Sequence, residues 1–208
     1  MQPDLISLLQ QGCDGLKLAV SRDQQARLIN YVALLSKWNT AYNLTAVRDE
    51  SDMVTRHLLD SLAITPFLAG QRILDVGTGA GLPGVPMAIL FPQREVHLLD
   101  SNGKKTRFLF QVKTALGLDN MIVHQARVQS FRPVEPFDAV LSRAFASLQD
   151  MMQGCRHLLA PKGRLLAMKG AYPAQELDVV NRQGVQVAVH SLAVPGLGEH
   201  RHLIEITL

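Results

Sequence analysis

A glycine-rich segment follows a short apolar stretch and restricts the possible folds more than any other feature. It reads Asp75-Val-Gly-Thr-Gly-Ala-Gly-Leu-Pro-Gly84. Because glycine has no side chain and adopts positive φ readily, such a turn lets the backbone approach a bound ligand closely. A second apolar stretch, residues 95–99, ends at Asp100, where a carboxylate is placed to accept hydrogen bonds from two ribose hydroxyls. The two features together predict a site for an adenosine-containing cofactor.

Two such cofactors, NAD and S-adenosylmethionine, are compatible with this turn. Residues Gly79-Ala-Gly81-Leu-Pro-Gly84 match the dinucleotide pattern G-x-G-x-x-G. Three details favour S-adenosylmethionine. The match starts two residues after Gly77, Asp75 lies where it would repel a pyrophosphate but not a loop amide, and the chain ends in a predicted antiparallel hairpin. The pattern D-x-G-x-G-x-G is similar to the first motif of class I methyltransferases. A dehydrogenase, or a turn without a ligand, is the alternative.

The composition predicts one globular domain that spans residues 1–208. The chain is 47% hydrophobic and 19% charged, which is close to globular averages. The first 18 residues contain no long apolar run, so we expect neither a signal peptide nor a membrane span, and a cytoplasmic location. Cys13 and Cys155 lack C-x-x-C spacing and are interpreted as core thiols of a reducing compartment. A net charge of +3 with a pI near 9.0 is compatible with a nucleic-acid partner.

Hydrophobic periodicity divides the chain into a helical N-terminal layer, residues 1–68, and an alternating core, residues 69–208. In the layer, Ser21 and Gln24 form a capping box, residues 39–45 interrupt the helix, and a second helix spans about 51–65. The core elements are predicted as strands at 72–76, 95–100, 121–124, 137–141 and 164–168, helices at 83–91, 104–116 and 148–159, a turn at 161–163, and two antiparallel strands at 185–194 and 202–208. This order predicts an α/β fold, a Rossmann-like doubly wound sheet with an antiparallel C-terminal hairpin.

The carboxyl ends of parallel strands form the binding edge of such a sheet. Gly77, Asp100, Arg127, Arg143 and Lys169 all fall at predicted strand ends. We therefore expect the site to lie among these five residues.

Arg143 follows the fourth strand and is the first candidate for chemistry. Its planar guanidinium is suited to hold a guanine or a phosphate, and the alternative is an arginine that pairs with a nearby acid and braces its loop. Phe145 is suited either to stack on a base or to fill the core. Lys169 is suited either to bind a substrate phosphate or to face solvent.

Adenine is expected just after the third strand, where Val128 would cover the ring and Gln129 would form a hydrogen bond with the edge of the ring. Lys104, Lys105 and Arg107 begin a helix, which is unfavourable for cations and indicates either an anionic partner or a solvated helix face. The pair His200 and His202 has a metal-like spacing but no acids or thiols nearby, so no metal is predicted.

The missing motifs restrict the methyl acceptor. Neither cysteine stands beside a proline, as a cytosine-C5 nucleophile would, and the loop after the fourth strand reads Ser142-Arg-Ala-Phe145 rather than N/D-P-P-Y/F. No lysine and acids are grouped to deprotonate a hydroxyl. The absence of these three motifs favours a methyl acceptor with a lone pair and no proton to lose, such as guanine N7.

Several further motifs stand in a specific order along the chain. They are Trp38-Asn-Thr-Ala-Tyr-Asn-Leu-Thr45, Arg56-His-Leu-Leu-Asp-Ser61, Asp75-Val-Gly-Thr-Gly-Ala-Gly-Leu-Pro-Gly84, Leu99-Asp-Ser101, Ser142-Arg-Ala-Phe-Ala146, Met168-Lys-Gly170 and Gly198-Glu-His-Arg-His202. With them the chain resembles, over nearly its whole length, the ribosomal small-subunit methyltransferase G family, also called glucose-inhibited division protein B. The resemblance implies methyl transfer from S-adenosylmethionine to N7 of one guanine in bacterial 16S ribosomal RNA, with no membrane or metal involved.

The resemblance also implies roles for individual residues. By position, the cofactor contacts are Gly77, Leu82, Val128, Gln129 and Arg143, and Gln129 stands where members often have glutamate.

We add further residues to this set from their places in the predicted motifs. Gly79, Gly81, Asp100 and Ser101 join the cofactor contacts, and Arg143 is the catalytic candidate. The candidate contacts to substrate RNA are Arg127, Lys169 and Arg201.

We expect the partner to be 16S ribosomal RNA within the assembled small subunit. Two alternatives stay open from the sequence. One is a methyltransferase that acts on another RNA or a small molecule, and the other is a methyltransferase-like module that only binds RNA. The intact glycine turn and Asp100 argue against the second.

Overall fold

A seven-stranded sheet forms the centre of the protein in a computed structural model that describes residues 4–143 and 145–208. The strand order is β3-β2-β1-β4-β5-β7-β6. The strands are β1 (Arg72–Val76), β2 (Glu95–Asp100), β3 (Met121–Gln125), β4 (Phe137–Ser142), β5 (Leu159–Lys169), β6 (Gln186–Leu192) and β7 (Arg201–Thr207). The first five are parallel, and β7 pairs antiparallel with both β5 and β6. The predicted fold class and C-terminal hairpin are confirmed.

The helices lie on both faces of this sheet. They are α1 (Leu5–Gly15), α2 (Arg22–Tyr42), α3 (Glu50–Met53), α4 (Asp60–Leu62), α5 (Gly84–Leu90), α6 (Gly103–Leu116), α7 (Leu148–Cys155) and α8 (Ala174–Asn181). Strand residues alternate between two apolar cores. In β1, Ile73 belongs to the core shared with α1, α2, α5 and α6, whereas Leu74 belongs to the core shared with α7 and α8. This alternation is what a strand buried on both faces requires.

The N-terminal layer packs on the sheet through α2, which begins with the predicted capping box. The Ser21 side chain accepts from the Gln24 amide, and the Gln24 side chain accepts from the Ser21 amide. The Gln24 side-chain amide also donates to the carbonyls of Ile89 and Leu90, at the end of α5. One side chain therefore begins α2 and satisfies carbonyls that α5 leaves without helical partners.

Two predictions for this layer were wrong in detail. The helix α2 continues through residues 39–42 and ends at Asn43, which adopts a left-handed conformation. The predicted helix at 51–65 is instead divided, because a π-helical segment, Val54–Leu59, separates α3 from α4. Single π-helical turns are rare and are often found at functional sites.

The region around β5 also differs from the prediction. Residues 159–163 belong to β5, although its pairing with β4 is interrupted between Leu159 and Arg164, where Lys162 has φ 67°. The predicted turn at 161–163 is therefore an irregularity within a longer strand. The predicted helix at 148–159 ends earlier, at Cys155, with a 3₁₀ turn after it. The helix α8 was not predicted.

Cys13 and Cys155 are buried, as the interpretation as core thiols requires. Burial raises the pKa of Cys13 to about 11 and that of Cys155 to about 12, so both remain protonated thiols at neutral pH. Among the described helices, none is sufficiently long and apolar to cross a bilayer.

A pair of histidines, of which His97 is buried and His124 is partly buried, joins β2 to the edge strand β3. Nδ1 of His97 lies 2.9 Å from Nε2 of His124, and the two rings stack. A hydrogen bond between two imidazoles needs one unprotonated nitrogen. Burial lowers the pKa of both histidines, and for His97 the contact with Glu95 opposes this only in part, while Arg72 adds to it. This contact at the edge of the sheet is therefore lost when both rings are protonated.

We expect the free energy of unfolding to decrease in acid because of His97. Unfolded histidines titrate at roughly pH 6.5, whereas folded His97 takes up a proton only at lower pH. Its contribution is present above the unfolded pKa and is lost as pH falls toward the folded value. The loss should be on the order of 1 kcal/mol by about pH 5. Urea unfolding at about pH 7.5 and 5 measures it.

The variant His97→Gln should show a smaller difference between the two pH values. His200→Gln, at an exposed histidine, should behave like the unmodified protein. Equal pH dependence in both variants would contradict the assignment.

Candidate functional site

The glycine turn between β1 and α5 is held by a buried carboxylate. Asp75 is fully buried, and its Oδ2 accepts from Thr78 Oγ1 at 2.7 Å and from the amide of Gly84 at 2.8 Å. Burial raises the pKa of Asp75 to about 6, and these two hydrogen bonds oppose the shift. A Cβ at Gly84 would lie 2.9 Å from the same oxygen, so only glycine fits there. The acid before the turn thus serves a loop amide, which agrees with the argument against a pyrophosphate.

A second carboxylate, at the end of β2, holds the exposed part of the turn. Asp100 accepts from the amide of Gly79 at 2.9 Å and from that of Asn102 at 2.8 Å, and Lys105 Nζ lies 3.6 Å away. A carboxylate has about four acceptor positions, so Asp100 retains capacity for further donors. The two glycines nearest to it, Gly77 and Gly79, have φ of 68° and 61°. These glycines can therefore follow a path that other residues would strain to adopt.

Beside Asp100 lies the strand-end cavity, which has a volume of about 370 Å³ and is the first of three cavities described for this site. The residues that line it come from the ends of β1, β2, β3 and β4. They are Val76, Gly77, Leu99, Asp100, Ser101, Ala126, Arg127, Val128, Gln129, Ser142 and Phe145. Five predicted cofactor contacts meet here, together with Arg127, which we had expected on the RNA side. The cavity is apolar toward Val128 and Phe145 and polar toward Asp100, as a nucleoside requires.

The second cavity, the turn cavity, shares Gly77 with the first. Its volume is about 160 Å³, and it is lined by Leu44, Thr45, Gly77, Thr78, Gly79, Ala80, Leu82, Lys105 and Arg143. Predicted contacts Gly79, Leu82 and Arg143 therefore lie together here. Gly81 lines neither cavity, because its Cβ would meet Val85 and Leu109 in the core. The two cavities together can hold an elongated ligand along the turn.

The third cavity, the cationic cavity, shares Arg143 with the turn cavity. Its volume is about 330 Å³, and it is lined by Val47, Arg56, His57, Asp60, Arg143, Met168, Lys169, Gly170 and Arg201. The predicted RNA contacts Lys169 and Arg201 lie here, whereas Arg127 does not. Burial, followed by the charge of Arg143, lowers the pKa of His57 to about 4, so its ring adds no charge at neutral pH.

Every cation of this cavity has an acidic partner. Arg201 pairs with Asp60 at 3.0 Å and with Glu199 at 3.0 Å. Arg143 pairs with Asp60 at 3.5 Å. The remaining pairs are Arg56 with Glu199 at 2.8 Å and Lys169 with Glu176 at 2.9 Å. Both interpretations of Arg143 from the sequence are therefore compatible with its position: it pairs with an acid and it lines the site.

The structure adds residues that the sequence did not single out. Thr45 lines the turn cavity, and its hydroxyl lies 2.8 Å from Nε2 of His57. Asp60 and Arg56 lie in the cationic cavity. Thr45, Arg56, His57 and Asp60 all fall within the motifs that carry the family resemblance. These motifs were the sequence signal from which the four residues could have been found. Lys105 was predicted as either an anion contact or a solvated residue, and it lies beside Asp100, whereas Lys104 and Arg107 are exposed.

The side chains that the structure describes form no candidate metal centre. Within residues 4–143 and 145–208, no three side chains of His, Cys, Asp or Glu are grouped to hold an ion. His202 instead lies 3.0 Å from the carbonyl of Gly170. Of the Ser142-Arg-Ala-Phe-Ala146 motif, Ala144 lies outside the described residues.

Structural comparison places the fold among the class I S-adenosylmethionine-dependent methyltransferases. A glycopeptide N-methyltransferase complexed with S-adenosyl-L-methionine superimposes with a TM-score of 0.63 at 14% identity, over 73% of this chain and 87% of that chain. A SAM-dependent methyltransferase from Aquifex aeolicus gives a TM-score of 0.61 at 16% identity, over 83% and 98%. At these identities the likeness concerns the fold alone.

Sequence comparison is more specific. The model of the family described as rRNA small subunit methyltransferase G matches residues 24–204. Proteins named ribosomal RNA small subunit methyltransferase G are 55% identical in Pseudomonas aeruginosa (94% of this chain, 92% of the relative) and 52% in Saccharophagus degradans (96% and 90%). One from Alteromonas mediterranea is 48% identical over 98% and 97%. The chain therefore belongs to the ribosomal RNA small subunit methyltransferase G family.

Proposed function

We propose that this chain transfers a methyl group from S-adenosylmethionine to N7 of one guanine in 16S ribosomal RNA. One observation carries the proposal for the site: Arg143 lines both the turn cavity and the cationic cavity. A cofactor along the glycine turn and an RNA base among the cations would therefore meet at this side chain. Family membership supplies the substrate class.

The residues of the first two cavities fit the cofactor. Asp100 keeps acceptor capacity for the two ribose hydroxyls after binding Gly79 and Asn102. Val128 and Phe145 form apolar walls for adenine, and Gln129 offers an amide oxygen that can accept from the adenine amino group. The turn cavity, with Lys105 beside Gly79, suits a charged amino-acid end. The strand-end cavity thus holds the nucleoside and the turn cavity holds the remainder.

The chemistry makes few demands on the protein. The cofactor supplies a methyl group that is already activated by its sulfonium, so the protein contributes chiefly proximity and alignment. Guanine N7 has a lone pair and no proton to lose, so no general base is needed. Burial and the charge of Arg143 lower the pKa of His57 to about 4, which makes its ring a weak base, and Asp60 is paired with two arginines, so neither residue is suited to remove a proton. The fork of Arg143 orients the reacting groups.

The substrate is the RNA of the assembled small subunit. Guanine N7 lies on the major-groove edge of the base, and in an RNA duplex that groove is deep and narrow. The target guanine must therefore be unpaired or in an irregular loop. The chain has a net charge of only +3, and the cations of its cavity are paired with acids. Non-specific attraction to phosphates is therefore weak. Selection of one guanine depends on a shaped surface that the folded substrate presents.

The first prediction concerns the glycine turn. Gly79→Val should weaken S-adenosylmethionine binding about tenfold or more, because its Cβ would point into open space of the turn cavity, near Lys105. Calorimetry measures the affinity. Gly117→Val is the matched control, since Gly117 has the same φ of 61° and no atom within 4 Å of its Cβ. The Gly117→Val variant introduces the same backbone strain outside the turn cavity, and it should bind S-adenosylmethionine normally. Equal affinities would refute the assignment.

The second prediction concerns Arg143. Arg143→Ala should lose methylation by about a hundredfold or more while the protein remains folded. Arg143→Lys should recover little, because an ammonium does not reproduce the planar fork. Methyl incorporation and circular dichroism measure the two effects. Near-normal activity in both variants would show that the arginine only braces its loop.

The third prediction concerns the form of the substrate. Isolated small subunits should be methylated more efficiently than protein-stripped 16S RNA, and a short loop mimic least of all. Methyl incorporation with nucleotide mapping of the modified guanine tests both the preference and the position. Equal efficiency on all three substrates would overturn the requirement for a folded surface.

A further inference from the structure

Asp60 occupies a special place between the two arginines of the cationic cavity. Its Oδ1 accepts from Nε of Arg201 at 3.0 Å, and its Oδ2 lies 3.5 Å from Nη1 of Arg143. The two oxygens thus serve different arginines, one at the start of β7 and one after β4. Asp60 itself belongs to α4, in the N-terminal layer. A single carboxylate therefore joins three separate parts of the chain.

The burial of Asp60 makes this arrangement specific. The residue is 3% exposed, so its charge is tolerated only because both arginines compensate it. Burial raises the pKa of Asp60, and Arg143 and then Arg201 oppose the shift. The other acids that pair with the cations of this cavity differ, since the side chain of Glu199 is 50% exposed and that of Glu176 is 28% exposed. An exposed acid can move with its partner, whereas a buried one fixes it.

The consequence for the site follows from the position of Arg143. This arginine is the residue that lines both the turn cavity and the cationic cavity. Its guanidinium lies at the border of the two cavities, where it can contact both ligands while N7 of guanine approaches the methyl carbon directly and the sulfur leaves on the opposite side. Asp60 touches the cationic cavity and not the turn cavity. It is therefore placed to set where Arg143 lies.

We propose that Asp60 is a positioning residue for methyl transfer, which acts by holding Arg143 where it contacts both the cofactor and the RNA base. The inference rests on the proposed function of the site. It also assigns a purpose to the π-helical segment Val54–Leu59, which directly precedes α4 and leads the chain to Asp60.

The test uses Asp60→Asn, which keeps the shape and removes the charge. At saturating cofactor and small subunits we expect kcat to fall about tenfold or more, with a smaller change in KM for the subunit, because misplaced groups lose rate more than binding. Asp138→Asn is the matched control. Asp138 accepts from the amides of Gln71 and Arg72 at the amino ends of β4 and β1, whereas the cavities lie at the carboxyl ends, and its variant should keep the same kcat. An unchanged kcat in Asp60→Asn would overturn the proposal.

A double-mutant cycle distinguishes positioning from general destabilisation. Asp60→Asn should weaken cofactor binding several-fold by calorimetry in the unmodified protein and leave it unchanged in an Arg143→Ala background. Equal weakening in both backgrounds would overturn the proposal. If Asp60→Asn does not fold, Asp60→Glu, which keeps the charge but displaces the carboxylate, enters the same cycle.

The two proposals fail in different ways. An unmodified protein that binds S-adenosylmethionine but does not methylate 16S RNA would refute the proposed function. The calorimetric cycle would still report whether Asp60 acts through Arg143.

Discussion

The buried carboxylate of Asp75 is the interaction on which the site depends. One of its oxygens holds both the beginning and the end of the glycine turn, through Thr78 and the amide of Gly84. Because this acid has no exposure, breaking either hydrogen bond would leave a buried polar group unsatisfied. The turn is thereby fixed in the path that opens both the strand-end cavity and the turn cavity. Asp100 completes the arrangement from the neighbouring strand by binding Gly79.

The N-terminal helical layer takes part in building this site and does more than cover one face of the sheet. The hydroxyl of buried Tyr31 donates to the carbonyl of Ala80, within the glycine turn, at 2.8 Å. Gln24 binds the end of the helix that follows the turn. Thr45 lines the turn cavity, and Asp60 pairs with two arginines of the core. Because the layer contributes residues to the turn cavity and to the cationic cavity, the stability of its packing is coupled to the geometry of the site.

The cationic cavity illustrates a compromise between affinity and order. Its four basic side chains, Arg56, Arg143, Lys169 and Arg201, share three acids, Asp60, Glu176 and Glu199. The acids reduce attraction to phosphate, but they also hold long side chains in defined positions. For an enzyme that must choose one guanine among many nucleotides, defined positions are of more use than strong non-specific attraction.

The sequence by itself determined the fold class and predicted most of the strand-end residues that line the candidate site. Glycines cannot be replaced where φ is positive or a Cβ would collide, and strand periodicity reports burial, so both signals are local. Gly77, Asp100 and Val128 could therefore be assigned to one edge of a sheet before any coordinates. The order of the motifs identified the family for the same reason, because that order can be read directly from the sequence.

Only the tertiary structure decided which charged residues meet. Arg127, Lys169 and Arg201 look alike in sequence, yet Arg127 lines the strand-end cavity and the others line the cationic cavity. The pairing of Asp60 with Arg201 joins residues 141 positions apart, and the π-helical segment before it has no local signature. Ion pairs form between side chains that packing brings together, and the local sequence does not show which distant side chains will lie within a few ångströms of each other.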